Sequence, residues 1–137
     1  MTAGQNPFDM GDVRRLQRHL ARVVPQARRD TRAAMMRGAV NVKKGWQANA
    51  RSSAPKHAPA YPRSISFDLL MFGPDQLLAV IGPDKGKTQG ALGNILEYGS
   101  VKNPPHWDGH RALYDELPAL EAQLALITAR GLAWGVA

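Results

Sequence analysis

The hydrophobic pattern of the first fifty residues predicts two helical stretches that meet at a proline. Over residues 9–24, apolar side chains recur at spacings of three and four, which is typical of one face of an α-helix. Asp9 can cap the start of this helix. Pro25 is expected to break the helix, kink it or begin the next one, because proline lacks the backbone N–H. The apolar positions are Val13, Leu16, Leu20, Val23 and Val24.

A second helical stretch, rich in Ala, Arg, Met and Lys, is predicted over residues 26–51. Gly38 and Gly45 weaken it, since glycine is a poor helix former. We therefore expect a helical region at 9–51 that follows a flexible N-terminus at 1–8. The apolar stripe of the second stretch comprises Ala27, Ala34, Met35, Val42 and Trp46.

The centre of the chain changes from helical to strand-like patterning. Residues 52–63 hold three prolines and are expected to form a loop or extended linker. Within the predicted strand region, residues 64–100, Ile65 to Met71 alternate with period two, and Leu77 to Ile81 form a second apolar run. Gly73-Pro74-Asp75 is a turn between them, so an antiparallel hairpin is predicted.

The segment after the hairpin is rich in glycine. Gly82 to Gly93 contains four glycines and is expected to be an exposed loop, with residues 83–93 mobile in the free subunit. Ile95 to Tyr98 is predicted to add a third short strand.

The C-terminal part is predicted to be a helix that follows a proline-rich turn. The turn covers residues 101–109 and the helix 110–131, with Pro118 in the first turn of its principal segment and Gly131 as a stop. Helices, then strands, then a helix predict one α+β domain over 9–137, with long basic N-terminal helices, a small antiparallel sheet built on the hairpin, and a C-terminal helix. The apolar face of the last helix is Leu117, Leu120, Leu124, Ile127 and Leu132.

Composition limits the classes of protein to which the chain could belong. At 137 residues with 44% apolar content, one folded domain with a core is expected. There is no cysteine, which excludes disulfides, thiolate zinc sites and a cysteine nucleophile. No run approaches the roughly 20 apolar residues of a membrane-spanning helix, and residues 1–10 lack a signal-peptide core. A soluble protein, intracellular at synthesis, is the expectation.

Charge is distributed unevenly between the two halves. Residues 1–63 carry thirteen Lys and Arg against three Asp and Glu, a net +10, whereas residues 64–137 carry five against eight, a net −3. A basic half indicates an acidic partner, either nucleic acid or an acidic protein surface. A solvated helix face explains the arginines equally well, and no helix-turn-helix or zinc module is visible.

Three local motifs resemble chemical sites without completing one. His106, Asp108 and His110 lie two positions apart, which superficially resembles a metal site. Zinc usually needs a third or fourth protein ligand, so a polar loop is the preferred interpretation. Residues 82–88 lack the four-residue gap of a phosphate-binding loop. Glu97 could serve as a general base only with an acid–base partner within about 3 Å in a cleft. We predict no catalytic residue, cofactor or metal.

Three segments together resemble the gene-product-ten-like tail-component family of lambdoid phages, over roughly residues 30–130. The first joins Ala58-Pro59 to Arg63-Ser64-Ile65-Ser66. The second is Leu96-Glu97-Tyr98-Gly99-Ser100. The third is Asn103-Pro104-Pro105-His106, followed by Leu117-Pro118-Ala119-Leu120. The chain departs from the family at Ala60-Tyr61-Pro62, where the family has an Asp-Thr-Gly-like turn.

The resemblance implies a non-enzymatic virion protein at the head–tail junction, with a tail-completion, neck or tail-terminator role, assembled in the host cytoplasm. It implies a homo-oligomeric ring, for which the family suggests six copies, that joins the portal or connector to tail-tube proteins. The basic helices could in addition contact passing DNA without sequence specificity. The alternative from the residues alone is a small basic nucleic-acid-binding protein. Tryptophans, Trp134 among them, are expected to be core or interface anchors. The candidate interface residues are Arg14, Arg15, Arg18, Arg22, Arg28, Arg29, Arg32, Trp46, Glu97, Tyr98, Gly99 and Trp107.

Overall fold

A computed structural model describes residues 9–53 and 56–133 and has the predicted α+β architecture. Helix α1 covers Met10–Ser53 and α2 covers Tyr61–Ser64. Strands β1, Ile65–Phe72, and β2, Gln76–Pro83, form the antiparallel hairpin. A 3₁₀ turn at Gly90–Leu92 leads into α3, Gly93–Tyr98, and the last helix is α4, Asp108–Leu132. The N-terminus at 1–8 and Trp134 lie outside the described residues.

Helix α1 is one continuous helix, so the predictions that Pro25 breaks it or begins a second helix are wrong, whereas a kink at Pro25 stays a prediction. It packs antiparallel against α4 on both sides of the proline. Before the proline, the imidazole Nε2 of His19 lies 3.2 Å from the carbonyl oxygen of Gly131. After it, Gly38 faces the side chain of Leu120. These contacts on either side hold the helical path although Pro25 donates no backbone hydrogen bond.

Small residues allow α1 and α4 to approach closely. A Cβ added to Gly38 would lie 3.4 Å from Leu120, and one added to Gly45 would lie 3.2 Å from the Cβ of Ala112. The glycines that weaken the helix in isolation are therefore helix–helix contact points. Along the packed part of α1, the buried residues are Ala34, Gly38, Ala39, Val42 and Ala50.

The hydrophobic core lies where the end of α1 meets α2, β1 and α3. Ala50, Tyr61, Ile65 and Leu96 are buried there, with Trp46, Ile81 and Leu92 packed around them. The prediction of a linker at 52–63 is therefore wrong at its two ends: α1 continues to Ser53, and α2 begins at Tyr61 and buries Tyr61, Pro62 and Ser64.

The predicted third strand at Ile95–Tyr98 is also wrong, because these residues belong to α3. Leu92 and Leu96 are four residues apart, so a helical path carries both into the core. The sheet of the described residues has two strands.

The glycine-rich segment is exposed only in part. Residues 84–88 are exposed, but Gly90 and Gly93 are buried. A Cβ on Gly93 would lie 2.1 Å from the ring of Pro83. The segment is anchored by the side chain of Gln89, which accepts from Ala60 N and donates to His57 O. Mobility of residues 83–93 stays a prediction.

Helix α4 begins at Asp108, so Pro118 lies inside it and not in its first turn. Four residues of the predicted apolar face, Leu117, Leu120, Leu124 and Ile127, are half-buried, whereas Leu132 is exposed. Among the helices of the described ranges, none has the length and apolar character needed to cross a bilayer.

Candidate assembly interface

The first part of α1, residues 10–24, extends to the end of α4 and past it. We call this segment the overhang. The last turn of α4 reaches it at His19 and at Val23, which lies 3.2 Å from a Cβ placed on Gly131. The other large apolar side chains of its stripe are between 38% and 45% exposed: Val13, Leu16, Leu20 and Val24. These are residues whose spacing predicts a buried face, so the described residues leave the apolar stripe of the overhang half-exposed.

The four N-terminal arginines of the predicted interface lie on the overhang. Arg14, Arg18 and Arg22 recur every four residues, which places them along one side of the helix, away from the apolar stripe. Within the described ranges none of these three forms an ion pair, whereas Arg15 lies 3.2 Å from Asp12. The overhang therefore combines an apolar stripe with a largely uncompensated positive charge.

The next three arginines do not share this arrangement. Arg28 makes a 2.9 Å ion pair with Asp75 at the hairpin turn. Arg29 donates to the side chain of Gln26. Arg32 contacts the sulfur of Met71 at 3.7 Å. Arg28 and Arg32 thus hold the tip of the hairpin against α1, which is an intrachain role that the sequence reasoning missed.

The hairpin has one face against α1 and one face open. In its register, Leu70 pairs with Leu78, Asp68 with Val80 and Phe72 with Gln76. Paired residues share a face, and so do residues two apart along a strand. The open face, which we call the outer face, therefore groups four apolar side chains that are 42% to 56% exposed: Leu70, Phe72, Leu78 and Val80.

The outer face was missed at the sequence level. The alternation from Ile65 to Met71 identifies the inner face, but Leu70 falls at a position that the pattern treats as polar. A usable signal was present: both faces become apolar in the half of the hairpin nearest the turn, where Leu70, Phe72 and Leu78 stand. Strands that are apolar on both faces are usually covered on both.

At the other end of α1, Glu97 forms a buried cap for helix α4. Its side chain is 4% exposed and accepts hydrogen bonds from Gly109 N and His110 N. The imidazole Nδ1 of His110 lies 2.7 Å from the same carboxylate. A carboxylate at a helix N-terminus satisfies otherwise unpaired N–H groups and interacts favourably with the helix dipole.

Asp108 is a second buried carboxylate beside this cap, with a side chain 1% exposed. It accepts from the hydroxyl of Ser53 and from Arg111 at 2.7 Å, while Asn49 donates to its backbone carbonyl. The imidazole Nδ1 of His106 lies 3.8 Å from the Oδ2 atom of Asp108. These bonds join the end of α1 to the start of α4, so Asp108 is structural.

The predicted site residues near this cap lie close together. Tyr98 and Trp107 are both exposed and meet edge to face with their ring centroids 5.6 Å apart. His110 stacks edge-on against each of them. Gly99 has φ +81°, and a Cβ there would lie 2.7 Å from Pro105 N, so the turn requires glycine.

Trp46 connects the cap to the core. Its ring would clash at 2.6 Å with a Cβ on Gly109, and its Nε1 donates to the hydroxyl of Tyr61 at 3.3 Å. Burial raises the pKa of the Tyr61 phenol above its usual range, and the hydrogen bond from Trp46 opposes that shift. A groove of about 260 Å³ between Trp46, Ile81, His110 and Leu113 opens beside the cap.

Comparisons with protein-family models, with curated proteins and with solved structures found no match. The geometry sorts the predicted interface residues into separate groups. Arg14 to Arg22 lie on the overhang, and Trp46, Glu97, Tyr98, Gly99 and Trp107 lie around the cap. Arg22 and Trp46 are about 36 Å apart along α1 at 1.5 Å per residue. The three motif residues 106, 108 and 110 form no metal-binding group with other described side chains.

Proposed function

We propose that the chain is a structural assembly subunit of a tailed bacteriophage, forming an oligomeric ring at the head–tail junction that joins the capsid connector to the tail tube. The observation that carries the proposal is the pair of apolar surfaces that the described residues leave exposed, the overhang stripe and the outer face of the hairpin. Contiguous exposed apolar patches on a small protein mark interaction sites.

The two apolar surfaces differ in shape, one being a helix and the other a ribbon of two strands. Contacts between unlike surfaces are heterologous. They generate a ring when the rotation that relates one copy to the next returns to the first copy. Both edges of the hairpin also present backbone groups that the described strands leave unpaired, and such edges favour pairing with another chain. These features support a ring more than an isolated subunit.

The head–tail location draws on the resemblance to the tail-component family. Two of its segments pack on each other in the fold: His106 N donates to Leu96 O at 2.9 Å, and Trp107 N donates to Glu97 O at 3.2 Å. Gly99 fits against Pro105. These two motifs therefore belong to one structural unit.

Three overhang arginines that pair with no acidic side chain of the described residues favour a second candidate, a small basic nucleic-acid-binding protein. Arg14, Arg18 and Arg22 could contact phosphates without reading sequence. A salt titration of duplex DNA binding tests this: log K should fall with log salt at a slope of about −0.9 per neutralised phosphate. Absence of binding at low salt removes the candidate.

We assign the Glu97–His110 pair to structure, although its 2.7 Å separation meets the distance that an acid–base pair needs. Both carboxylate oxygens already accept from backbone N–H groups of α4. The neighbouring groove is lined mainly by apolar side chains and offers no hydroxyl nucleophile other than the phenol of Tyr98.

Deletion of the gene from the phage that carries it tests the proposal. Electron microscopy of the lysate should show filled heads and tails that are not joined, and supplying the gene in trans should restore whole particles. Complete virions from the deletion mutant contradict the proposal. On the purified chain, native mass spectrometry should find a closed oligomer with a single copy number.

A further inference from the structure

The outer face of the hairpin cannot be covered by the overhang of the same molecule. The inner face of the hairpin packs on α1: Lys43 lies over the ring of Phe67, and Ile81 lines one groove together with Trp46. The outer face, with Leu70 and Leu78 paired on it, lies on the opposite side of the strands. Whatever covers this face must come from another molecule or from a residue outside the described ranges.

The overhang has the dimensions to cover this face. The stripe from Val13 to Val24 is about 16 Å long at 1.5 Å per residue. The outer-face residues from Asp68 to Phe72 span about 13 Å at 3.3 Å per residue. The axes of the two strands lie about 4.8 Å apart. With the width of each strand included, the ribbon is roughly as wide as one helix, which is about 10 Å in diameter. One helix therefore suffices to bury the exposed apolar side chains of the ribbon.

The net charges of the two segments have opposite signs. Residues 10–24 carry four arginines and one aspartate, whereas residues 65–83 carry two aspartates and neither lysine nor arginine. Of these two aspartates, Asp75 pairs with Arg28 and Asp68 is exposed on the outer face. The overhang arginines lie on the side of the helix away from the apolar stripe, so the stripe can meet the outer face without burying them. Two overhangs of the same positive charge repel each other, which disfavours a contact between overhangs.

We propose that the overhang of one copy packs along the outer face of the hairpin of the next copy, with Leu16 and Leu20 against Leu70 and Leu78. The inference rests on the self-assembly in the proposed function and names the surfaces that carry it. Because each copy supplies a helix to one neighbour and a hairpin to the other, the contact is heterologous and propagates around a ring.

Engineered cysteines test this pairing cleanly, because the natural chain has none. Leu16→Cys and Leu78→Cys are placed on separate, differently tagged copies of the full chain, which are co-expressed and oxidised. Ala21→Cys replaces Leu16→Cys in the control, since Ala21 lies five residues further along the helix and about 140° away from Leu16 around it, outside the apolar stripe. Disulfides join Cα atoms only about 4.4–6.8 Å apart, so the Leu16 pair should give at least about five times the yield of the control.

Substitutions provide an independent measurement by native mass spectrometry. Leu78→Ser is expected to shift the purified chain from oligomer to monomer, because it places a hydroxyl in the apolar contact. Leu126→Ser is the matched control: Leu126 is 50% exposed on α4 and Leu78 is 48% exposed, so the two replacements change similar surfaces. The control variant should keep the mass of the parent oligomer.

Each outcome decides a separate claim. Mixed disulfides together with loss of the oligomer in Leu78→Ser support the helix-on-hairpin contact. Disulfides between two Leu16→Cys copies, or an intact oligomer that gives no mixed disulfide, overturn this pairing and leave the ring standing. A chain that stays monomeric at every concentration overturns both the pairing and the self-assembly of the proposed function.

Discussion

The two ends of helix α1 use the same secondary structure for opposite purposes. At the C-terminal end, small residues such as Gly38 and Gly45 bring α4 within van der Waals contact, and Val42 is buried. At the N-terminal end, Leu16 and Leu20 keep about 40% of their surface exposed beside unpaired arginines. One end is a folding surface and the other is available for assembly.

This difference shows that an amphipathic pattern alone does not say what will cover its apolar face. The spacing of Val13, Leu16 and Leu20 is as regular as that of Ala34, Gly38 and Val42. Only the second set lies opposite α4. Large aliphatic residues with arginine neighbours tolerate both water and a partner, whereas glycine and alanine contribute little unless a second helix packs on them.

The largest expected effect concerns the cap that holds the packed end. Glu97→Ala should lower the free energy of unfolding by about 3 kcal/mol, because buried N–H groups of Gly109 and His110 lose their acceptor. Urea denaturation of the dilute chain measures this. Glu121→Ala, an exposed change on the same helix α4, should stay within about 0.5 kcal/mol of the parent. Equal stability of the two variants would contradict the role of Glu97 as a cap.

A matched pair of valines compares the two ends directly. Val42→Ala should cost roughly 2 kcal/mol, since it removes buried methyl groups and leaves a cavity. Val13→Ala removes the same atoms from the overhang and should cost less than about 0.5 kcal/mol in the monomer. Thermal and urea unfolding at low concentration provide both values. Equal losses would mean that the overhang is packed within the single chain.

The smallest expected effect depends on pH. Tyr61→Phe should cost about 1 kcal/mol at neutral pH, because the indole N–H of Trp46 loses its acceptor. The folded-state pKa of Tyr61 is raised, so its neutral form stabilises the fold below the unfolded pKa of about 10. That stability is lost as pH rises above 10. The parent should therefore lose stability above pH 10 more steeply than the Phe variant does.

Tyr114→Phe provides the control for this pH dependence, because Tyr114 is 69% exposed. Its unfolding curve should follow that of the parent chain across the alkaline range. If Tyr61→Phe and the parent have the same slope above pH 10, the phenol is not held neutral by its surroundings.

Local signals in the sequence were sufficient for the fold class and for the hairpin. Period-two alternation and the Gly73-Pro74-Asp75 turn identified β1 and β2 within a residue or two. They were insufficient at Pro25, where tertiary contacts at His19 and Gly38 outweigh the local cost. They also failed at Ile95–Tyr98, because a stretch of four residues fits the period of a strand as well as that of a helix. Packing of Leu96 in the core selects the helix.

The candidate interface was predictable only in part, for a similar reason. The overhang arginines stand out as a charge run, but the partner of Arg28 is Asp75, which is 47 residues away along the chain. The role of His110 depends on its contact with the carboxylate of Glu97, thirteen residues earlier in the chain. Contacts between such distant positions depend on the fold, and spacing in the sequence does not report them.

Because α1 continues without interruption through Pro25, the overhang and the core belong to one helix. Met10 lies about 54 Å from Trp46 along the helix axis. The contacts with α4 at Gly38 and His19 lie between them, so the packing of α4 sets the direction in which the overhang leaves the domain.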